Sequence, residues 1–230
     1  MKIFLPILGY SLYAIFCCRI LLQGLAWYKA ARQLGAHRAP VRRVSLGFSL
    51  WVCAGVATDI AFLRRLLNAN RLLWLGSWTF HLSFLFVTLR HLIYVVNPVP
   101  ECIADLQTIG VCSGYILPLS LIYIAVVRIA GKEKYVSRSN FLILGLVFLI
   151  SITGLLMHFF RPDLVDVKGF ILGILAFKPE AVPQSFLFII HFLLVLLLVP
   201  YLPSHIFSSP VIIIEARRRE KELKMVLHEK

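Results

Sequence analysis

Five apolar runs dominate this chain, each long enough to cross the ~30 Å hydrocarbon core of a bilayer at ~1.5 Å per helical residue. They are Ile3–Trp27, Leu72–Val96, Leu106–Ile129, Phe141–Phe160 and Gln184–Phe207. Within hydrocarbon each segment must satisfy its own backbone polar groups, so each run is expected to be a helix. The expected fold class is all-α, a polytopic membrane helical bundle of five transmembrane helices. Hydrophobic residues make up 60% of the chain, against roughly 45–50% in a soluble domain, and the few charges cluster between the runs. The first run follows Met1-Lys2 as a signal peptide would. It is too long for an h-region and lacks a small-residue cleavage site, so it is expected to stay as a span.

Boundary residues support these limits. Trp74 and Trp78 open the second run as an interfacial belt, and Asn97-Pro98-Val99-Pro100 ends it. Ser139 or Asn140 is expected to cap the fourth, which stops at Arg161-Pro162, and Pro183 opens the fifth. Pro118 is expected to kink the third, and Pro200 and Pro203 to distort the end of the fifth.

Lys and Arg set the orientation. Segment 28–71 carries eight of them, the 128–138 turn holds Arg128, Lys132, Lys134 and Arg138, and the C-terminal segment begins its basic run at Arg217. The alternate loops hold only Arg161, Lys168 and Lys178. Five spans place all three basic segments on one side, giving N-terminus out and C-terminus in. The Leu46–Leu63 stretch tempts a sixth span. Crossing there would put two basic clusters on opposite faces, so an interfacial amphipathic helix over 46–68 is preferred, with Arg64 and Arg65 toward headgroups. Val167–Phe177 is read as a shorter surface helix on the outer side. The expected organisation is one membrane domain over 1–210 and a basic cytoplasmic tail over 211–230. A net charge of +13 on a soluble protein would suggest nucleic acid; here it reads as topology and attraction to anionic membrane lipids. A multi-pass protein of the cytoplasmic membrane, without a nucleic-acid partner, is expected.

The five cysteines form no C-x-x-C or C-x-x-C-H, which excludes covalent c-type haem attachment and a cysteine zinc knuckle. Cys102 and Cys112 are placed in or near one outer loop, with a disulfide not favoured.

Seven histidines remain to be explained. His37 and His228 lie in basic, solvated segments. His81, His91, His158, His191 and His205 lie inside apolar runs or at their ends, where ionisable groups are expensive and usually face a cavity or cofactor. A single one would read as a hydrogen-bonded core histidine; five on three spans do not. His81 and His91 are separated by ~15 Å of helix rise and His191 and His205 by ~21 Å. In antiparallel helices His81 then shares a level with His205 near the inner face, and His91 shares one with His191 near the outer face. Two histidines at one depth on facing helices supply both axial ligands of a haem, and two levels would stack two haems across the membrane. The phase is imperfect, because ten residues return ~80° off the starting face. Two ligands per level without carboxylate or thiolate do not make a closed zinc site.

Phe80-His81, Leu89-Arg90-His91, the Asn97–Pro100 stop, Thr153-Gly154-Leu155, Ile190-His191 and Pro200-Tyr201-Leu202-Pro203-Ser204-His205 together resemble the dihaem cytochrome b family of the respiratory nitrate reductase gamma subunit. The likeness is closer to the DsrM-type branch found with heterodisulfide-reductase-like iron–sulfur subunits, and covers roughly Gly47 to Ser209. The resemblance implies two haem b groups, with His81 and His205 on the inner iron and His91 and His191 on the outer. It implies quinone or menaquinone chemistry near the outer haem and electron exchange with a peripheral iron–sulfur subunit on the cytoplasmic side. One departure is that the nitrate reductase form places its last ligand about one turn beyond His205, where this chain has Ser209.

Further residues complete the expected site. Arg90, beside His91, and Arg161 are read as haem-propionate partners, with lipid headgroups the alternative for Arg161. Arg19 faces either a propionate or a path to water. His158 is read as a quinone or propionate contact, hence the candidate catalytic residue, with an alternative ligand and a plain interfacial histidine also open. The expected activity is that of the membrane electron-transfer subunit of a quinone oxidoreductase. Two alternatives stand beside it: a proton-relaying transporter subunit, disfavoured by the scarcity of acids in the spans, and a haem-free anchor that leaves the histidines unexplained.

Overall fold

The computed structural model describes residues 4–36, 46–131, 138–160, 164–179, 182–203, 213, 216 and 217. Its elements are α1 (Phe4–Ala36), α2 (Leu46–Phe62), α3 (Arg64–Ala69), α4 (Arg71–His91), α5 (Glu101–Ala130), α6 (Arg138–Phe160), α7 (Leu164–Leu175) and α8 (Phe186–Leu198). Single 3-10 turns follow α4 at Leu92–Tyr94 and α8 at Val199–Tyr201. No strand occurs among the described residues. Phe4–Lys29, Arg71–Tyr94, Glu101–Ala130 and Asn140–Phe160 are long and apolar enough to cross a membrane. Phe186–Tyr201 is apolar but shorter. Its α-helix ends before Pro200, as expected of a residue without a backbone N–H. Whether the run continues to Phe207 lies outside the described residues.

The boundaries have local causes. Asn70 caps α4, its side-chain oxygen accepting the Leu73 N–H at 3.0 Å. Helix α5, the third apolar run, starts directly after Pro100, earlier than that run suggested, because the proline's extended φ/ψ suits the residue before a helix. It runs unbroken through Pro118. The sixth helix begins at Arg138, so Ser139 and Asn140 lie in its first turn and not ahead of it. Leu63, at φ 46°, separates α2 from α3. The expected outer loop holding the cysteines is instead helix: Cys102 and Cys112 both sit on α5, both free. Ten residues on one helix separate them by ~15 Å, beyond disulfide reach.

Two compact units emerge. The first comprises Met1–Leu12 and Asn70–Leu198. In it α4 packs most extensively on α5, α5 on α6, and α6 on α8. Small side chains let α4 and α5 approach: Gly76, Ser77 and Ser83 on α4 and Gly110, Ser113 and Ser120 on α5 are all buried. A Cβ at Gly76 would lie 2.5 Å from the Tyr123 ring and 3.0 Å from Ile124. Gly76→Leu is therefore expected to destabilise the bundle by roughly 2 kcal/mol or more, read as a lower unfolding midpoint in detergent. An unchanged midpoint would mean the two helices are not held at this separation.

At one end of this unit Leu5, Val167, Phe170 and Phe188 form a buried cluster, with Tyr94, Met157 and Phe192 packed round it. Val167, Phe170, Ile171 and Ile174 recur at helical spacing, so α7 turns one apolar face onto the bundle. Phe170 is wholly buried and meets Phe188 and Phe192 edge-on at 5.8 and 5.6 Å. Tyr94 follows the end of α4 whereas Phe188 opens α8, so the two helices run antiparallel.

The second unit comprises Tyr13–Ala69 and Val199–Lys230. Arg19 donates to the Pro200 carbonyl at 2.7 Å. A 3-10 turn would direct that carbonyl at the N–H of residue 203, which is proline and has none, so arginine replaces the missing donor. Neither a propionate nor water is needed to explain Arg19. Asp59, 6% exposed on α2, accepts from Arg217 Nε at 2.7 Å, with Arg65 Nε at 3.6 Å. The absence of a side chain at Gly55 leaves room for the Arg217 guanidinium.

Candidate functional site

The structure brings His91, on the last turn of α4, to His191, on the second turn of α8. Their ring centres lie 6.3 Å apart and their planes differ by 11°. With metal–imidazole bonds of roughly 2 Å and a ring centre about 1.1 Å from its own nitrogen, two axial imidazoles on one iron have centres about 6 Å apart. The observed separation matches that span.

Hydrogen bonds fix which nitrogen is available. His91 Nδ1–H donates to the Val87 carbonyl at 2.6 Å, the backbone group one turn back. His191 Nδ1 lies 2.9 Å from Thr153 Oγ1. That hydroxyl is also 2.9 Å from the Leu149 carbonyl and 3.0 Å from the Ile150 carbonyl. Carbonyls only accept, so the hydroxyl proton is committed to them and its lone pair takes the His191 Nδ1–H. Both imidazoles therefore keep the Nε2 lone pair, the form a metal requires. Gly154 gives His191 its space: a Cβ there would stand 3.3 Å from the ring's Cε1. Among the described residues no three or more His, Cys, Asp or Glu side chains converge. A two-imidazole donor set fits a haem, whose macrocycle fills the other positions, better than a metal held by protein alone.

His81 lies ten residues before His91 on α4 and likewise directs Nδ1–H to a backbone carbonyl, Ser77 O, at 2.6 Å. Its expected partner, His205, lies outside the described residues, as does Arg161. Arg90 is half-buried and donates through Nε to Gln107 Oε1 at 3.2 Å, its stem crossing α5 at Gly110. Gln107 steadies this cation one residue from His91. The sequence reading passed over Gln107, although a glutamine inside an apolar run was the available signal. His158, on the last turn of α6, packs edge-on against Tyr115 at 6.4 Å and beside Phe159 at 6.0 Å. Among the described residues no hydrogen bond or ring contact joins it to the His91–His191 pair, so the structure gives it an aromatic setting and no place among the paired rings.

The chain is 36% identical over 153 residues to an Hdr-like menaquinol oxidoreductase cytochrome b-like subunit of Archaeoglobus profundus, a match covering 58% of this chain and 45% of that one. It is 25% identical over 245 residues to the subunit of the same name in Archaeoglobus fulgidus, covering 87% of this chain and 74% of that one. The chain thus spans less than half the length of the first of these relatives. No protein-family model matches the chain, and no solved structure matches it. These relatives support the resemblance to the Hdr-associated membrane cytochrome b branch.

Proposed function

We propose, from that resemblance as premise, that this chain is the membrane dihaem b-type cytochrome subunit of a respiratory complex, passing electrons between menaquinol and a peripheral iron–sulfur subunit. The observation that carries the reading is the His91–His191 pair, two near-parallel imidazoles 6.3 Å apart with both Nδ1–H groups committed. The names of the relatives supply the quinol and the association with an oxidoreductase complex. Five spans with the C-terminus inside, α2 at the inner interface and α7 on the outer side complete the arrangement.

Within it His91 and His191 would hold the outer haem b, and His81 and His205 the inner one. Bound haem would supply one-electron carriage. Arg90, steadied by Gln107, would hold a propionate by a charge-assisted hydrogen bond, and Arg161 is assigned the same role. The face of α7 that buries Phe170 packs with Tyr94, three residues beyond His91, at that end of the bundle. His158 contacts the quinone or a propionate, and of the residues considered for moving a proton it is the first to substitute.

Protein purified from its native host is expected to carry two haems per chain, with a reduced α-band at the b-type position and reduction by a menaquinol analogue. Haem-free protein from that host would sink the proposal and favour the anchor. A more local result is expected at Gly154. Gly154→Leu drives the His191 ring aside and lowers outer-haem occupancy by roughly 10-fold or more, whereas Gly154→Ala only weakens binding. Full occupancy in Gly154→Leu would show that His191 does not need this space.

A further inference from the structure

We propose that Thr153 is the positioning residue for His191: its hydroxyl fixes the ring's orientation and tautomer and raises the donor strength of Nε2. The inference rests on the reading of His191 as an axial ligand.

The two paired histidines are anchored differently. His91 leans on the Val87 carbonyl of its own helix, a group that comes with helical backbone. His191 leans across a helix interface on α6, through the Thr153 side chain with the Ile150 carbonyl also beside the ring. The Thr153 hydroxyl is polarised as it accepts, because its own proton is drawn to the Leu149 and Ile150 carbonyls. An acceptor strengthened in this way pulls the Nδ1 proton and makes Nε2 a stronger donor. The same bond sets the azimuth of the ring, since Thr153 and Gly154 are consecutive and hold its Nδ1 and Cε1 edges. A mid-span threonine on an apolar helix would otherwise satisfy itself on its i−4 carbonyl and carry no further duty. Here the β-branched residue, with few χ1 options, aims its lone pair at the neighbouring helix.

A stronger axial donor favours ferric over ferrous iron and lowers the midpoint potential. Thr153→Val keeps the shape and removes the hydroxyl acceptor, leaving only the Ile150 carbonyl beside the ring; Thr153→Ser restores the hydroxyl. The test is a redox titration of the purified, haem-loaded protein, with electron paramagnetic resonance of its ferric low-spin signal, on wild type, Thr153→Val and Thr153→Ser. Thr153→Val is expected to shift the outer-haem midpoint upward by about 59 mV, a tenfold change in ferric preference for a one-electron couple. Its low-spin signal is expected to move as the ring turns, with Thr153→Ser close to wild type on both readouts. Outer haem lost in Thr153→Val and retained in Thr153→Ser also supports the role. Should Thr153→Val not accumulate, Thr153→Ala carries the same expectation. A valine or alanine variant with wild-type midpoint and signal overturns the inference while leaving the haem assignment intact. Haem-free wild-type protein overturns both.

Discussion

His91→Ala and His191→Ala are each expected to remove the same haem and leave the other in place. The purified variants should hold one haem per chain, and both should lack the same wave in a redox titration. On the proposed reading each substitution would delete one of two axial nitrogens, and the survivor's neighbours contribute no replacement imidazole, carboxylate or thiolate among the described residues. Electron transfer from menaquinol is expected to fall by roughly 100-fold or more, beyond the range seen when only a supporting group is lost. The complementary pair is His81→Ala with His205→Ala, which should together abolish the other wave. Loss in crossed pairs, His91 with His205 for example, would overturn the assignment of levels. Retention of both haems with loss of activity in His91→Ala would favour the proton-relay reading.

Arg217→Ala is expected to destabilise the protein by about 3 kcal/mol, because it leaves a buried carboxylate without its nearest cation. Asp59 is 6% exposed on α2, outside the four candidate spans, and Arg65 at 3.6 Å makes a longer contact than the 2.7 Å bond that is lost. The hydrogen bond from Arg217 holds the Asp59 carboxyl below its ordinary 3.8, against burial, which pushes it up; the charges of Arg217, Arg65 and Arg64 add to the lowering. A depressed carboxylate stabilises the folded state above its unfolded value and ceases to do so as pH falls through the folded value. Wild-type protein should therefore lose more of its unfolding midpoint than Arg217→Ala between about pH 5 and pH 3. Arg217→Ala with Asp59→Asn should recover part of the loss, since the buried group is then neutral. Parallel pH profiles for wild type and Arg217→Ala would show that this ion pair does not couple the C-terminal segment to α2.

Much of this was legible in the sequence, for identifiable reasons. Apolar runs with proline and tryptophan at their ends report helices whose backbone has no alternative in hydrocarbon, and four of the five runs correspond to helices of spanning length. The proximity of His91 and His191 followed from charge bookkeeping: basic loops set antiparallel directions, and directions set depth. Contacts that depend on a chance meeting of distant residues were not legible. Nothing local marks Thr153 as a partner of a residue 38 positions away, or Arg217 as a partner of one 158 positions away. Cys102 was placed outside the helix because Glu101 and Asp105 dilute the apolar signal in what is the first turn and a half of α5.

The unequal anchoring of the paired histidines also bears on heredity. No point mutation can delete the Val87 carbonyl that steadies His91, since every residue type supplies one. The hydroxyl that His191 leans on is encoded by one codon, so a missense change at Thr153 reaches the site without touching either histidine. Lineages that drift at this position would retain the ligand signature yet carry a retuned electron carrier, and the signature alone would not reveal it.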